Sequence, residues 1–257
     1  MVFNMNYIWY SNSTSVTGKQ LAELLGIRGG TKRPPKFTEK CIVWGARLKQ
    51  ANNRLLRINR IIEQGNMLNN IYAVERTADK LNAMFLFKQL NIPPFTTKEN
   101  VIRDLIDGHI KLPLVARGRE HYGGKGFRLL RNYDDIVESD ADIYTQFIDS
   151  ISEYRIHIFR GEVIRISKKV PICEYSDAYC RSHANGWRFA HKHYREVYEP
   201  MIQTVKDAIN LAGLDFGAGD VLKTEDGHYL LEINTGVGLA DSTLERYVGK
   251  IEEWLNV

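Results

Sequence analysis

Hydrophobic and polar positions follow one pattern in the first third of the chain and another in the rest. In the first third, the apolar runs at Tyr7–Tyr10 and 41–45 are typical of buried parallel strands, and three leucines between positions 21 and 25 have helical spacing. A polar cap before these leucines and Gly26 after them set the ends of the helix. The pattern therefore predicts a small α/β lobe over residues 1–76.

After residue 76 the chain alternates between helical segments and short strands. Apolar residues at helical spacing predict four helices, over about 77–92, 97–106, 197–212 and 243–255. Alternation of apolar and polar residues predicts strands and hairpins, at 112–117, 127–130, 143–149, 155–159, 163–168, 220–224 and 229–234. This part is predicted to be α+β, with one subdomain over residues 77–145 and another over residues 146–257.

Composition places the chain among ordinary folded proteins. Of its 257 residues, 44% are hydrophobic and 26% are charged, and no apolar run approaches the ~18 residues that a membrane helix needs. The net charge of +4 is compatible with a polyanion such as ATP or a nucleic acid. Three cysteines without a pairing pattern, and a first segment without an export signal, predict free thiols, a cytoplasmic location and no membrane partner.

The last predicted hairpin carries the clearest chemical signal, and its turn decides which side chains meet. A three-residue turn over 225–227 with a bulge places Thr224 opposite His228. Asp220 then falls opposite Glu232. A two-residue turn would put the two carboxylates on opposite faces of the hairpin. Both registers are open at this stage.

The first register brings three oxygen-bearing side chains to one face of the hairpin. Asn234 then lies on the same face as Asp220 and Glu232. Two carboxylates that face each other across a ladder repel, so the arrangement favours a divalent cation between them. Carboxylate and amide oxygens suit Mg²⁺, which keeps water and substrate phosphates as its other ligands. The hairpin therefore predicts a magnesium site.

A glycine-rich stretch between two predicted strands is the second candidate. Residues 117–126 contain four glycines and three cations, and such a loop can wrap a phosphate chain. It lacks the Walker spacing and no helix follows it, so it is not a P-loop. The alternative is an exposed hairpin without a ligand.

Five short motifs in a fixed order resemble those of the ATP-grasp enzymes. They are 79–81, the glycine-rich stretch, 153–157, 213–220 and 231–236. The likeness is to a phage-encoded group related to the glutamate ligases that modify ribosomal proteins, with D-alanine–D-alanine ligase as a more distant relative. The resemblance implies an ATP-grasp fold preceded by a short pre-ATP-grasp α/β lobe.

The resemblance also implies a site for ATP and for one or two Mg²⁺ ions. The implied metal ligands are Asp220, Glu232 and Asn234. The implied nucleotide contacts are Lys80 and Arg117 on the phosphates, Gln146, Phe147 and Ile148 around adenine, Glu153 on the ribose, and Gly123, Gly124, Lys125 and Gly126 in a flap over the triphosphate. Arg117 stands where the family usually has a lysine, which keeps the charge and changes the geometry.

Two further cations resemble positions that stabilise the transferring phosphoryl group. Lys168 is implied to bind phosphate and to act in catalysis, and Arg181 is implied to share the catalytic role. Lys169 competes with Lys168, because strand alternation places their side chains on opposite faces and only one of them faces the site. The alternative is that both lysines are solvated surface charges.

The implied chemistry is ligation of a carboxylate to an amine. ATP would activate the carboxylate as an acyl phosphate, and the amine would attack it to form an amide or peptide bond. A kinase that stops at phosphoryl transfer, and a basic nucleic-acid or regulatory binding module that retains the fold, remain as alternatives. The substrates stay open among an amino acid, a peptide, a protein tail and a modified nucleotide. A homodimer is the default assembly, and a phage-encoded enzyme would act in the host cytoplasm.

Two other features have ordinary explanations. Cys173, Cys180 and His183, with His191 and His193 nearby, suggest zinc, but their spacing is not a standard zinc pattern and a substrate loop is favoured. The basic stretch over 28–36 is favoured as a solvated loop over a contact for an acidic substrate or a nucleic acid.

Overall fold

The computed structural model describes residues 5–51, 55–119, 126–177, 179–191 and 196–257. Gly123, Gly124 and Lys125 of the predicted flap lie outside these ranges, and so does His193. The described residues form three β-sheets with helices packed against them. None of the helices in these ranges is long and apolar enough to cross a membrane.

The first lobe is a parallel sheet with a helix on each face, which confirms the predicted α/β lobe. Its elements, in chain order, are Tyr7–Tyr10 (β1), Val16–Leu24 (α1), Arg28–Gly30 (β2), Cys41–Trp44 (β3), Leu55–Glu63 (α2) and Met67–Leu68 (β4). The strand order is β2-β1-β3-β4, and all neighbours are parallel. The Ser15 hydroxyl caps α1 by accepting a hydrogen bond from the Gly18 amide at 3.2 Å. The carboxyl ends of β1, β2 and β3 therefore share one edge.

The basic stretch of the first lobe is only partly a loop. Its first three residues form β2, the edge strand of the sheet, where a solvated loop was expected over 28–36. Gly29 permits this strand because a Cβ there would lie within 3 Å of Ile8 and Ala22 side-chain atoms. Glycines give no periodic signal, so the pattern of apolar residues does not reveal the strand.

The helix predicted over about 77–92 is present as Lys80–Phe87 (α4), and a helix that was not predicted, Ile71–Ala78 (α3), precedes it. Asp79 lies between them with extended backbone torsions, and its side chain accepts a hydrogen bond from the Asn82 amide at 3.0 Å. An N-cap residue cannot continue the preceding helix, because its backbone is not helical. The predicted start of this helix at 77–79 is therefore confirmed, and its end at Phe87 comes earlier than the prediction of 92.

The second sheet is antiparallel and has four strands in the order β5-β8-β6-β7. Its elements, in chain order, are Phe95–Thr97 (β5), Val101–Ile106 (α5), Leu114–Arg117 (β6), Arg128–Leu130 (β7), Tyr133–Val137 (α6) and Ile143–Gln146 (β8). A hydrophobic core of its own lies between this sheet and its two helices, and it includes Leu114, Ile136 and Tyr144.

The third sheet is antiparallel and has five strands in the order β11-β10-β9-β12-β13. The elements of this region, in chain order, are Ser152–Phe159 (β9), Glu162–Pro171 (β10), Trp187–Ala190 (β11), Glu199–Ala212 (α7), Phe216–Lys223 (β12), His228–Asn234 (β13) and Asp241–Leu255 (α8). Helix α7 covers one face, which we call the α7 face, and the other face is called the carboxylate face after the side chains described below.

Two hydrophobic cores join the first lobe to the five-stranded sheet. One contains Trp9 and Val43 of the first lobe together with Ile156 and α7. The other contains Trp44, whose ring stacks on Phe216 at a centroid distance of 5.1 Å. Burial of aromatic side chains on both sides of this boundary makes the lobe and the sheet one packed unit.

A buried asparagine adds polar contacts across the same boundary. Asn69, at the end of β4, has a left-handed backbone with φ of 61°. Its side-chain oxygen accepts hydrogen bonds from the amides of Asp215 and Phe216, at 2.8 and 3.0 Å. Its side-chain nitrogen donates to the Phe216 carbonyl at 3.0 Å. The side chain thus acts like one more residue of a β-ladder and fixes the start of β12 to the first lobe.

Candidate functional site

The two carboxylates of the last hairpin lie directly opposite each other. Asp220 of β12 pairs with Glu232 of β13, which confirms the pairing that the first register predicts. The ladder shifts between the pair Val221–Leu230 and this pair, so Leu231 is an extra residue on β13. This β-bulge brings the two carboxylates to one face of the sheet.

The turn itself differs from the prediction. The Thr224 amide donates a hydrogen bond to the Gly227 carbonyl at 2.9 Å, and Lys223 lies opposite His228. The predicted pairing of Thr224 with His228 was therefore wrong, because the turn contains two residues, 225–226. The extra residue that restores the carboxylate register lies within the strand, where turn chemistry gives no signal.

Two protein cations hold the paired carboxylates. The Arg155 guanidinium donates to both oxygens of Asp220, each at 2.7 Å, and the pair is almost fully buried. The Lys80 ammonium donates to Glu232 at 2.8 Å. Burial raises the pKa of Glu232, but the charges of Lys80, Arg117 and Arg155 outweigh it and lower the pKa to about 2. Glu232 is therefore ionised at neutral pH.

The same side chains fit a divalent cation. The Asn234 side-chain nitrogen donates to a Glu232 oxygen at 3.2 Å and to an Asp220 oxygen at 3.4 Å, so the three side chains converge, with the amide N–H groups directed at the carboxylates. Across the described ranges, no group of three His, Cys, Asp or Glu side chains forms a metal-binding cluster. A cation between the two carboxylates would replace these N–H contacts, and the Asn234 side-chain oxygen could become its third protein ligand if the amide turned over. Carboxylate and amide oxygens are hard donors of the kind that Mg²⁺ prefers.

Lys169, rather than Lys168, lies on the carboxylate face. Arg155 pairs with Ser167 across the ladder, and Lys169 follows Ser167 by two residues, so all three share that face. The Lys169 ammonium lies 2.5 Å from Glu153. Burial raises the pKa of Glu153, and the Lys169 charge opposes this effect.

Lys168 lies on the α7 face, 2.5 Å from a Glu196 carboxylate oxygen and beside the Tyr154 ring. Its predicted place at the phosphate was wrong, because the strand directs its side chain away from Asp220. Lys169 takes the predicted place beside the site. Arg181 lies near Glu153: its guanidinium donates to the Ser150 carbonyl at 2.9 Å, and its charge, like that of Lys169, opposes the rise that burial causes in the pKa of Glu153.

The predicted adenine segment follows β8. The amides of Gln146 and Phe147 already donate to the carbonyls of Pro94 and Pro113, at 2.8 and 2.9 Å. The Ile148 amide has no partner among the described residues. Of the three predicted residues, Ile148 is therefore the one whose amide is available to a base.

A cavity of about 570 Å³ opens beside the carboxylate pair. Four of the predicted site residues line it, namely Lys80, Arg117, Glu232 and Asn234. Arg155 lines it as well, and through Arg155 the cavity wall is linked to Asp220. The Arg117 Nε atom is buried and has no partner in the described part of the chain, which fits an anion in this cavity.

The remaining predicted residues lie outside the cavity wall. They are Gly126, Gln146, Phe147, Ile148, Glu153, Lys168, Arg181 and Asp220. Gly126 is the described end of the glycine-rich stretch and has φ of +69°, a left-handed conformation that suits glycine. The sequence motifs did not single out Arg155, which binds Asp220 and lines the cavity, although strand alternation from Glu153 already places it on the same face.

The first lobe supplies the other wall of the cavity. Asn12 follows β1, and Arg47 and Lys49 follow β3, so the lining residues come from the carboxyl ends of parallel strands. This edge is where open α/β sheets bind ligands. Arg47 is held in place by a two-pronged ion pair with Glu75, at 2.9 and 3.0 Å. The cavity thus has a carboxylate wall and a cationic wall.

A contact between two glycines brings the walls together. A Cβ on Gly236 would lie 2.9 Å from the Gly45 Cα and 3.3 Å from the Trp44 carbonyl oxygen. Backbone atoms on both sides cannot yield, so Gly236→Ala is expected to cost about 1–3 kcal/mol of unfolding free energy. Thermal unfolding checks this against Gly238→Ala, whose Cβ would meet nothing within 4 Å. Equal melting temperatures for the two variants would contradict a tight contact.

His157 lies buried on the carboxylate face, with Nδ1 3.3 Å from the Tyr247 hydroxyl oxygen. Burial and the nearby charges of Arg155 and Arg165 lower its pKa to about 3. The unfolded chain takes up a proton below pH ~6.5 and the native chain does not, so stability falls as pH drops from 6.5 towards 3. Between pH 7.5 and 5, His157→Gln is expected to remove about 2 kcal/mol of this loss.

Urea unfolding at pH 7.5, 6 and 5 measures the effect of His157→Gln. His109→Gln is the matched control, because the His109 side chain is 72% exposed. If wild type and His157→Gln lose the same free energy over this range, the buried neutral imidazole is not the cause.

The cysteines and histidines of residues 173–191 do not form a metal site in the described ranges. Cys173 is exposed, Cys180 is buried, and both are free thiols, as is Cys41. His191 lies 2.8 Å from the Ser167 hydroxyl. This agrees with the expectation of free thiols and lends no support to zinc.

Comparison with solved structures places the fold. D-alanine–D-alanine ligase from Bacillus anthracis in complex with ATP is 12% identical, with a TM-score of 0.66 over 98% of this chain and 97% of that one. The ATP-grasp ligase PsnB is 13% identical, with a TM-score of 0.66 over 98% of this chain and 98% of that one. These values hold for its complex with minimal precursor, Mg and ADP and for its complex with precursor peptide PsnA2 and AMPPNP.

A third structure extends the comparison. N5-carboxyaminoimidazole ribonucleotide synthetase from Thermotoga maritima is 13% identical, with a TM-score of 0.63 over 96% of this chain and 76% of that one. No protein-family model and no curated protein matches the sequence. At these identities the likeness concerns the fold, and the fold is that of the ATP-grasp enzymes, as the sequence motifs predicted.

Proposed function

We propose that the protein is an ATP- and Mg²⁺-dependent carboxylate–amine ligase that works through an acyl phosphate. The observation that carries the proposal is the opposed pair of Asp220 and Glu232, held by Arg155 and Lys80 beside a cavity in an ATP-grasp fold. Two carboxylates that face each other across a ladder repel unless cations lie beside them, and Mg²⁺ would add to the positive charge that Lys80 and Arg155 already supply.

The chain's own residues would bind and orient the nucleotide. Lys80, Arg117 and Arg155 line the cavity and would hold phosphate oxygens by charge-assisted hydrogen bonds. The Ile148 amide, with Gln146 and Phe147, would contact adenine. The other proposed nucleotide contacts are Glu153 on the ribose and Gly123, Gly124, Lys125 and Gly126 over the triphosphate.

Transfer of the phosphoryl group is faster when positively charged side chains already surround it before the reaction begins. Lys169 and Arg181 lie around Glu153 and would supply this charge from the end of the sheet, in place of the predicted Lys168. Asp220, Glu232 and Asn234 would hold Mg²⁺, which when bound neutralises charge on the β- and γ-phosphates.

The cationic wall of the cavity would receive the carboxylate that is activated. Lys49 and Arg47 lie at that wall, and Asn12 adds a neutral donor and acceptor. The structures of PsnB contain a precursor peptide, which supports a peptide among the substrates that the sequence leaves open. A relation to phage-encoded and ribosomal-protein-modifying ligases, a homodimer and the subdomain limits 1–76, 77–145 and 146–257 belong to the same proposal.

Trapping with hydroxylamine tests the proposed chemistry. The protein is incubated with ATP, MgCl₂, hydroxylamine and a panel of amino acids and acidic peptides, and hydroxamate and ADP are measured. An acyl phosphate is expected to give equal amounts of both products. ADP with a phosphorylated product and no hydroxamate would identify a kinase instead. No nucleotide turnover with any acid would favour a binding module.

A further inference from the structure

Positive charge is concentrated in one stretch of the first lobe. Of the 35 Lys and Arg residues of the chain, ten lie between positions 28 and 60, and of the 31 Asp and Glu residues only Glu39 lies there. The rest of the chain is therefore net acidic, although the protein as a whole carries +4. Such a separation of charge indicates a surface for an anionic partner.

Four cations of this stretch form what we call the basic face, namely Lys32, Arg33, Lys49 and Arg57. None of them makes an ion pair with a carboxylate of the described ranges. Arg33 lies close enough to Arg57 that its charge, added to burial, lowers the pKa of Arg57. The Arg57 Nη2 atom is buried and without a partner in the part of the chain that the structure describes. Two neighbouring guanidinium groups repel each other, so an anion bound between them would lower the electrostatic energy of the pair.

The basic face begins at the mouth of the cavity. The Gln50 side-chain nitrogen donates to the carbonyls of Ser11 and Thr31, at 2.9 and 2.7 Å, and its oxygen accepts from the Arg47 amide at 2.6 Å. One side chain thus ties the segments that follow β1, β2 and β3. Lys32 comes directly after Thr31, and Lys49 lines the cavity itself.

We propose that the basic face binds an acidic polypeptide segment, whose neighbouring carboxylate enters the cavity to be activated. This inference rests on the proposed ligase function and names its substrate class. The cavity wall and the basic face both carry cations that would bind carboxylate groups. A chain with several Asp or Glu side chains would therefore bind Arg33 and Arg57 with some of them while one reaches Lys49 and Arg155.

Two observations favour a polypeptide over RNA. Strand β2 is the edge of its sheet, so its backbone can pair with an extended peptide beside the basic face. Single-stranded RNA is held largely by stacking on aromatic rings. In the described part of this stretch, Phe37 is the one largely exposed aromatic residue, and the ammonium of its own neighbour Lys36 lies over it at 5.6 Å.

The test measures binding by fluorescence anisotropy of a labelled decaglutamate peptide to the full chain without nucleotide. Wild type is expected to bind decaglutamate more weakly as salt rises, and to ignore decaglutamine. Arg33→Gln with Arg57→Gln is expected to weaken binding about tenfold or more, since two charge-assisted contacts are lost. Lys88→Gln with Lys98→Gln, which removes two exposed cations elsewhere, is expected to change it less than twofold. Circular dichroism checks that both double variants fold.

Three results would overturn the inference. They are no binding of decaglutamate, equal effects of the two double variants, and tighter binding of a decanucleotide RNA than of decaglutamate. The hydroxylamine assay separates this inference from the proposed function. Hydroxamate formed from a small acid, without a role for Arg33 and Arg57 in peptide binding, would sink this inference alone. Decaglutamate bound through these two arginines, without hydroxamate from any acid, would sink the ligase proposal and leave the acidic-peptide surface in place.

Discussion

Replacement of Asp220 by Asn together with Glu232 by Gln is expected to abolish magnesium-dependent ATP binding and to lower turnover by about 10²-fold or more. The two side chains oppose each other across β12 and β13, and the substitutions keep their size while they remove both negative charges. Lys80 and Arg155 would then lose their anionic partners, and Mg²⁺ would lose its charged ligands. Calorimetric titration of ATP, with and without MgCl₂, measures the effect directly.

The control for this double variant lies in the turn of the same hairpin. Glu225→Gln with Asp226→Asn removes the same charges from exposed positions and is expected to leave ATP binding within about twofold of wild type, as surface substitutions usually do. Magnesium-dependent binding that survives in the Asp220 and Glu232 variant would show that the metal binds elsewhere.

Lys169→Met is expected to lower turnover by about 10²–10³-fold, whereas Lys168→Met is expected to change it only slightly. Lys169 lies on the carboxylate face beside Glu153, where charge placed in advance acts on the transferring phosphoryl group. Lys168 pairs with Glu196 on the other face, and the Glu196 side chain is 39% exposed, so loss of this pair costs about 0–1 kcal/mol. ADP release under saturating ATP compares the two variants.

Lys169→Arg separates the charge of Lys169 from its role in packing. It keeps a cation beside Glu153 and is expected to recover part of the activity that Lys169→Met loses. Melting temperatures of the three variants show whether the fold survives. Equal losses of turnover in Lys168→Met and Lys169→Met would mean that the face of the sheet on which each lysine lies does not determine its effect on turnover.

The pairing of Asp220 with Glu232 could be predicted because two different turn structures give the same register. Turn chemistry predicted an extra residue near Gly227, and the chain places it at Leu231. The ladder beyond the extra residue is the same in both cases, so Asp220 meets Glu232 either way. The position of the bulge could not be predicted, because it depends on the packing of β13 against its neighbours and no residue pattern in the sequence indicates it.

The choice between Lys168 and Lys169 needed the pairing partner. Alternation along β10 shows that the two side chains diverge, but only the pairing of Ser167 with Arg155 relates either of them to Asp220. A similar limit explains β2, which arises from contacts with neighbouring segments and not from the period of apolar residues. The break at Asp79 has a local cause, the N-cap hydrogen bond from the Asn82 amide, which the period of apolar residues does not show either.

The sheet β5-β8-β6-β7 has a hydrophobic core of its own, and this determines which parts of the protein can move relative to each other around the cavity. The first lobe and the five-stranded sheet share two cores and the Asn69 contacts, so they are expected to turn as one rigid body. The β5–β8 sheet has its own core, and it contributes Arg117 and Thr145 to the cavity wall opposite Glu232. Rotation of this sheet about its connections would widen or narrow the cavity without opening any of the three cores. Under the proposed function, rotation of this sheet would control the entry of ATP and the release of ADP, while the proposed metal ligands and the first-lobe wall keep their relative positions.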